Sequence, residues 1–319
     1  MTSHSIEISP PDIASYKDGN TGVDYVHVLD SGQPGPNVMV QALTHGNEFC
    51  GAIALDFLFK QQIKPIQGKL TLAFANVAAF ARFDFGDPDR SRCIDEDYNR
   101  VWGDDALLGP RDSVELRRAR ELRPFVDAAD YLLDLHSMHE PCRPIMVCGT
   151  QEKGGARSAA FARRIGTPGD LLIDTGHPAG LRMIERGAFG DPAGPKTAVL
   201  IECGQHWEKS AVDVAVDTLF RFLQETGAVD ASICKSRTRL APPAVQRLIR
   251  VTEAVVAKSR DFRFPYLFNG LEVVRQAGTV IATDGDALWK TPYDDCVMVM
   301  PSLAHVKPGT TMVRLGRYD

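Results

Sequence analysis

Residues 38–48, Val38-Met39-Val40-Gln41-Ala42-Leu43-Thr44-His45-Gly46-Asn47-Glu48, decide the fold. The first six form a short apolar run bounded by turn residues, which predicts a strand buried on both faces. Beyond the Thr44–Asn47 turn, Phe49, Ile53 and Phe57 recur every four residues, while Asp56 and Lys60 fall together elsewhere, which predicts an amphipathic helix. A strand that turns directly into a helix is half of a parallel βαβ unit.

The alternation continues outward. Residues 69–75 (KLTLAFA), 131–135 (YLLDL) and 197–201 (TAVLI) read as further strands. Residues 112–129 read as a helix opened by Asp112 with Glu115 three positions on, a capping-box spacing, and with a kink or break at Pro124. Residues 210–225 carry a Val212, Val216, Leu219, Phe220, Leu223 stripe and end before Gly227. The expected class is α/β: a mixed, largely parallel sheet with helices on both faces. Near residue 230 the pattern changes. Residues 231–246, with Pro242-Pro243, read as a linker, and the remainder is strand-like and turn-rich (LIRVTEAVVA, LEVV, TVIAT, VMVM, TMVRL). A catalytic unit over residues 1–230 and a small all-β domain over 231–319, shaping access to the site, is the expected organisation.

Composition narrows the function. The chain has 319 residues, 44% hydrophobic and 24% charged, with a formal charge of -5. That is the balance of a soluble globular protein, with no basic stripe for nucleic acid and no polybasic patch for a membrane. Residues 1–24 are polar, and no apolar run approaches the roughly 20 residues of a membrane span. Seven cysteines without CxxC spacing favour a reducing cytoplasm over a disulfide framework. A small-molecule partner is expected. Oligomeric state has no signature here beyond the general expectation of a homo-oligomer.

Polar residues gather where strands end. His45 and Glu48 form an HxxE at a strand–helix junction, His136 follows YLLDL, and Glu202 follows TAVLI. Ligands of open α/β sheets collect beyond the carboxyl ends of the strands, so two imidazoles and two carboxylates are delivered to one region. Catalytic zinc takes three protein ligands and keeps a fourth position open. His45, Glu48 and His136 meet that need, one Zn2+ per chain, and Glu202 is left as the proton carrier. Asp134, two positions before His136 on the same side of the strand, is placed to orient it. HxxE alone is common by chance; the repetition at strand ends after apolar runs gives it weight. A second cluster, Arg92-Cys-Ile-Asp-Glu-Asp97-Tyr-Asn99-Arg100, sits in a long charged connection suited to gripping a carboxylate, although composition alone favours a solvated charged loop with internal ion pairs.

HGNE at 45–48, RCIDEDYNR at 92–100, DLH at 134–136 and IECG at 201–204 together resemble the succinylglutamate desuccinylase/aspartoacylase family, a branch of the zinc carboxypeptidase superfamily. The likeness extends through ELRRARE at 115–121 and the C-terminal β region. It implies a zinc-carboxypeptidase-like fold and an amide-cleaving deacylase. It further implies zinc at His45, Glu48 and His136, Glu202 as general base and then acid, Arg92 on the oxyanion, and Asn99 with Arg100 on a substrate carboxylate.

The sequence also departs from that family. Familiar members place a further arginine shortly before the catalytic glutamate; here Lys196 is the cation in that run, with Arg182 and Arg186 further upstream as substitutes. His139, three residues past His136, is expected to line the pocket, with ligation as its alternative, and Tyr293 is expected to reach over the site from the β domain. His206 is a candidate to line the site, whereas His27, His177 and His305 read as ordinary residues and His4 as part of a disordered-looking tail. Cys203 should face away from Glu202, into the core. The expected activity is hydrolysis of a small carboxylate-bearing N-acyl amino compound, with the acyl group unspecified. The rivals are a metallocarboxypeptidase of short peptides, separable with dipeptide substrates, and a silent metal- and carboxylate-binding protein, which would bind ligand without turnover.

Overall fold

The computed structural model describes residues 4–304 and 306–319, so His305 lies outside the described residues. In chain order the strands are β1 (Val26–Asp30), β2 (Asn37–Ala42), β3 (Lys69–Phe74), β4 (Tyr131–Met138), β5 (Ile145–Thr150), β6 (Asp170–Asp174), β7 (Thr197–Gln205), β8 (Arg247–Val256), β9 (Phe262–Arg263), β10 (Glu272–Val274), β11 (Val280–Asp284), β12 (Ala287–Lys290), β13 (Cys296–Val299) and β14 (Thr311–Tyr318). The helices are α1 (Phe49–Lys60), α2 (Val77–Phe80), α3 (Asp104–Leu107), α4 (Val114–Ala128), α5 (Gly155–Ile165), α6 (Lys209–Glu225) and α7 (Ala231–Arg237).

Among the described residues, eleven strands form one sheet in the order β1-β3-β2-β4-β7-β5-β6-β8-β14-β13-β10, and β12-β11-β9 form a second, antiparallel one. The centre, β3-β2-β4-β7, is parallel; β5 turns antiparallel to β7, and β6 and β8 run parallel to β5. This is the mixed α/β architecture expected from the alternating pattern.

Both faces of the central strands β2, β4 and β7 are covered, which explains why these strands are largely apolar rather than alternating. Val38, Val40, Leu133, Leu135, Val199 and Ile201 point into a core shared with α1, α5 and α6. Met39, Leu132, Ala198 and Leu200 point into the opposite core, which α4 closes with Leu116, Leu122 and Val126. Leu133, Leu135, Val199 and Ile201 are fully buried, and burial of such side chains stabilises by about 1.5–3 kcal/mol each.

Several local expectations change. Of the Phe49-Ile53-Phe57 row of α1 only Phe49 is fully buried; the other buried residues of the helix are Cys50, Gly51, Ala52, Ala54, Leu55 and Leu58. Small residues win because α1 presses on β4: a Cβ on Gly51 would lie 2.7 Å from Leu135 Cβ. Helix α4 is capped by Ser113, whose hydroxyl accepts from Leu116 N, and it continues through Pro124. Residues 231–237 of the expected linker form α7, capped by Asp230, whose side chain accepts from Ser232 N and Ile233 N. Strands β1, β5 and β6 are short and lack a long periodic signature, and helix α5, which buries Ser158, Ala159, Ala162 and Ile165, is a further element outside the expectation.

The main sheet does not stop at residue 230. β8 pairs in parallel with β6, and β14, β13 and β10 extend the same sheet, while β9, β11 and β12 close over a separate cluster around Phe262, Ile281 and Met298. The C-terminal strands are thereby fixed to the scaffold that carries the strand ends. No described helix is long and apolar enough to cross a membrane.

Candidate active site

Each polar residue of the site is placed by the end of a parallel strand. After β2, Leu43 takes a positive φ of 60° and turns the chain out of the sheet. His45 follows, and Glu48 occupies the cap position of α1. Gly46 is where this turn meets the Arg92 segment: its N–H donates to Arg92 O at 3.2 Å, and a Cβ there would lie 2.3 Å from both Phe80 N and Ser91 O. On the neighbouring strands His136 of β4 and Glu202 of β7 are register partners, so they stand side by side.

The resulting geometry is compact. Glu48 lies between two imidazoles, with Oε1 2.7 Å from His45 Nδ1 and Oε2 3.0 Å from His136 Nδ1. The three residues are buried, and their donor atoms all lie within 4.8 Å of one another. The outward nitrogen of each ring meets a carboxylate: His136 Nε2 is 2.7 Å from Asp134 Oδ2, and His45 Nε2 is 2.9 Å from Asp97 Oδ1. Carboxylates in these positions set the tautomer so that Nδ1 is free to coordinate. Arg92 Nη2 also lies 3.0 Å from His45 Nε2; one nitrogen cannot donate to Asp97 and accept from Arg92, and a ring coordinating through Nδ1 donates to Asp97. Two imidazoles, one carboxylate and their outer carboxylates fit a divalent zinc-type cation.

Glu202 completes the group. Its Oε2 is buried with no hydrogen-bond partner, and burial, with Glu48 nearby, pushes the carboxyl up to about 8 against the opposing pull of His136 and Arg92. A carboxyl with a raised pKa beside such a donor set is equipped to take and return a proton.

The Arg92–Arg100 segment is held from below by Glu115. This fully buried carboxylate accepts from the backbone N–H groups of Ile94 (2.6 Å), Asp95 (3.1 Å) and Glu96 (3.3 Å), and from Asn76 Nδ2 (3.1 Å). Glu115 therefore supports the loop rather than acting in a capping box. Arg92 lies 3.2 Å from Asp97 Oδ2 and 3.6 Å from Glu48 Oε1. Asn99 accepts from Met183 N at 3.1 Å through Oδ1, which turns its amide NH2 the other way.

These groups line a cavity of about 730 Å³. Its far wall is cationic. Burial, with Arg182, Arg92 and Arg314 nearby, pulls Arg100 down to about 10 despite Asp97, and burial also lowers Arg314. Arg100 stays charged at neutral pH with Asp97 Oδ2 3.9 Å away, and Arg314 lies 3.2 Å from Asp174 Oδ2. Arg182 is spent on its own partners, Asp174 at 2.8 Å and Glu185.

Residues 34–224 match the family described as succinylglutamate desuccinylase/aspartoacylase catalytic domain. The chain belongs to this family. No curated protein matches the sequence. Among solved structures, the succinylglutamate desuccinylase of Vibrio parahaemolyticus shares the fold with a TM-score of 0.66 at 17% identity, over 92% of this chain and 86% of that one. A succinylglutamate desuccinylase/aspartoacylase from Rhodobacter sphaeroides gives 0.65 at 18% identity, over 92% and 88%. The ectoine utilization protein of Ruegeria pomeroyi, solved with product bound, gives 0.62 at 16% identity, over 91% and 88%.

Of the residues that the family pattern singled out, His45, Glu48, Arg92, Asn99, Arg100, His136 and Glu202 all line the one cavity. His139 and His206 line it as well. His139 lies outside the His45-Glu48-His136 group, and Asp89 and Glu140 push it up to about 9; His206, bonded to Ser137 Oγ at 2.8 Å, is driven down to about 3 by burial.

Tyr293 is not among the residues that line this cavity. Its hydroxyl bonds Thr252 Oγ1 at 2.6 Å and Arg317 stacks on its ring at 3.8 Å, which holds it on the C-terminal strands away from the cavity wall. Arg186 is likewise elsewhere, paired with Asp127 and Asp104. The C-terminal contributions come instead from Met300–Ser302, Lys307–Met312 and Arg314. Arg314 and His177 line the cavity although the sequence did not single them out for it; a lone arginine between Val313 and Leu315 was the available signal for the first. Cys203 is buried in the core on the far side of β7, as its strand position requires.

Proposed function

We propose that the protein is a zinc-dependent deacylase that cleaves the amide bond of a small N-acyl amino compound carrying a carboxylate. The observation that carries this reading is the pairing of His136 with Glu202 across β4 and β7, which sets an unpartnered buried carboxylate oxygen beside a three-donor metal group. Membership of the desuccinylase/aspartoacylase family supports amide hydrolysis.

His45, Glu48 and His136 would hold one zinc, which when bound activates water and polarises a carbonyl. Glu202 takes the proton of the attacking water and returns it to the leaving amine. Arg92, at the edge of the donor group, faces the negative charge that develops on the carbonyl oxygen. Asn99 and Arg100 offer N–H donors to a substrate carboxylate, and the fork of Arg100 suits that shape. Arg314, 3.2 Å from Asp174 through Nε but outside hydrogen-bond geometry, offers its remaining donors to a second anionic group.

The test is zinc content by elemental analysis together with hydrolysis of N-acetyl, N-formyl and N-succinyl amino acids by wild type and Glu202→Ala. One zinc at the donor group in both proteins, and turnover lowered roughly 10²–10⁴-fold in the variant, is expected. Folded protein without zinc would sink the ligand assignment. Zinc-loaded protein that cleaves dipeptides but no acyl amino acid would replace the deacylase by a peptidase.

A further inference from the structure

A second histidine–carboxylate cluster lies along the same cavity and shares no residue with the first. Glu140, buried in the cavity wall, turns Oε2 to His4 Nε2 at 3.2 Å and Oε1 to His139 Nδ1 at 3.1 Å. The donor atoms of the three residues lie within 4.8 Å of one another, and the two rings stand edge-on with centroids 5.3 Å apart. We propose that His4, His139 and Glu140 form a second zinc site that fastens the N-terminal segment to the cavity wall.

Three features carry the inference. The first is the donor set. Two ligand atoms each about 2.1 Å from a tetrahedral zinc lie about 3.4 Å apart, so both histidine–carboxylate separations already match coordination. The second is the outer partner. His139 Nε2 lies 3.1 Å from Asp89 Oδ2, which directs Nδ1 towards Glu140, the arrangement that orients a ligand imidazole. Asp134 has the same relation to His136 in the catalytic group. The third is the course of the N-terminal segment. Glu7 N donates to Trp207 O at 3.0 Å, and Lys209 N donates to Glu7 Oε2 at 3.1 Å, so the chain that carries His4 is laid against the β7–α6 connection by one backbone bond and one bond to the Glu7 carboxylate. His4 is thereby delivered from 135 positions away in sequence to the side chain of His139.

The competing account is that the two imidazoles simply hydrogen-bond to Glu140 and Asp89 without a metal. The two accounts differ in metal stoichiometry. The experiment titrates untagged, metal-stripped protein with Zn2+ alone against a chromophoric chelator, for wild type, His4→Ala, His45→Ala and Asp89→Asn. Two zincs in wild type, one in His4→Ala and one in His45→Ala are expected, with the second site weakened roughly 10–100-fold in Asp89→Asn. A single zinc that survives His4→Ala overturns the proposal, as do two zincs that both survive it. A single zinc lost in His4→Ala but kept in His45→Ala upholds this site and overturns the catalytic one, so the two readings fail separately. Circular dichroism of His4→Ala should match wild type, because the substitution removes one partly exposed side chain near the chain end.

Discussion

Asp134 and His136, two positions apart on β4, bond to each other, Oδ2 to Nε2 at 2.7 Å, and so turn the other ring nitrogen towards Glu48. Asp134 is itself held by Thr44 Oγ1 at 2.8 Å, which accepts from Gln41 Nε2 at 2.9 Å. The β2 turn and the β4 strand thus fix one imidazole together. Asp134→Asn keeps the volume but loses the charge that defines the tautomer. Its affinity for zinc at the His45-Glu48-His136 group should fall roughly 10–100-fold, read by chelator competition, while folding is retained. Unchanged affinity would show that the Asp134 charge does not tune a zinc ligand.

Glu115 controls the loop from a distance. Glu115→Ala leaves the amides of Ile94, Asp95 and Glu96 without their acceptor. An unmade hydrogen bond of this kind costs about 1–3 kcal/mol, so urea unfolding should show a loss of at least that size. Hydrolysis should fall as well, since Arg92 and Arg100 flank the released segment. A variant with full activity and lowered stability would separate the loop from the chemistry.

Arg314 and Tyr293 make a matched pair, because Arg314 of β14 lines the cavity and Tyr293, in the β12–β13 connection, does not. Arg314→Gln should raise KM about 10–100-fold for substrates with a second anionic group, the worth of a charge-assisted hydrogen bond, and change kcat less. Tyr293→Phe should leave kcat/KM unaltered and cost about 0.5–1.5 kcal/mol for the Thr252 bond. The reverse pattern would return Tyr293 to the site.

Asp174 makes stability pH-dependent. Burial pushes its carboxyl up, but Arg182, Arg314 and the Thr175 N–H outweigh burial and hold it below the usual range. A carboxyl lowered in the folded state stabilises fully above its unfolded value of about 3.9 and loses that contribution as pH falls through the folded value. Asp174→Asn should therefore be less stable than wild type at pH 7 by about 3–5 kcal/mol, the cost of stranding buried cations. The gap should narrow in acid, below pH about 4. Thermal unfolding of both proteins across that range measures it.

The sequence by itself determined the strands that carry chemistry. VMVQAL, YLLDL and TAVLI are largely apolar, with Gln41 and Asp134 as polar exceptions, because both faces of each are buried, and the polar residue after each run is conspicuous for that reason. His45, Glu48, His136 and Glu202 were legible on those grounds, and the relation of Asp134 to His136 follows from the two-residue period of a strand.

Tertiary structure decided what depends on pairing and on contacts between distant segments. The register that sets His136 beside Glu202, the use of Glu115 as an acceptor for a loop twenty residues away, and the arrival of Arg314 through a continuous sheet are not local properties. Tyr293 and Arg314 illustrate the difference: each is a polar residue in a C-terminal strand region, and only the packing of β14 against β8 shows which side chain faces the cavity. A periodic pattern encodes which face is buried, whereas the identity of the neighbour across that face is set by the whole chain.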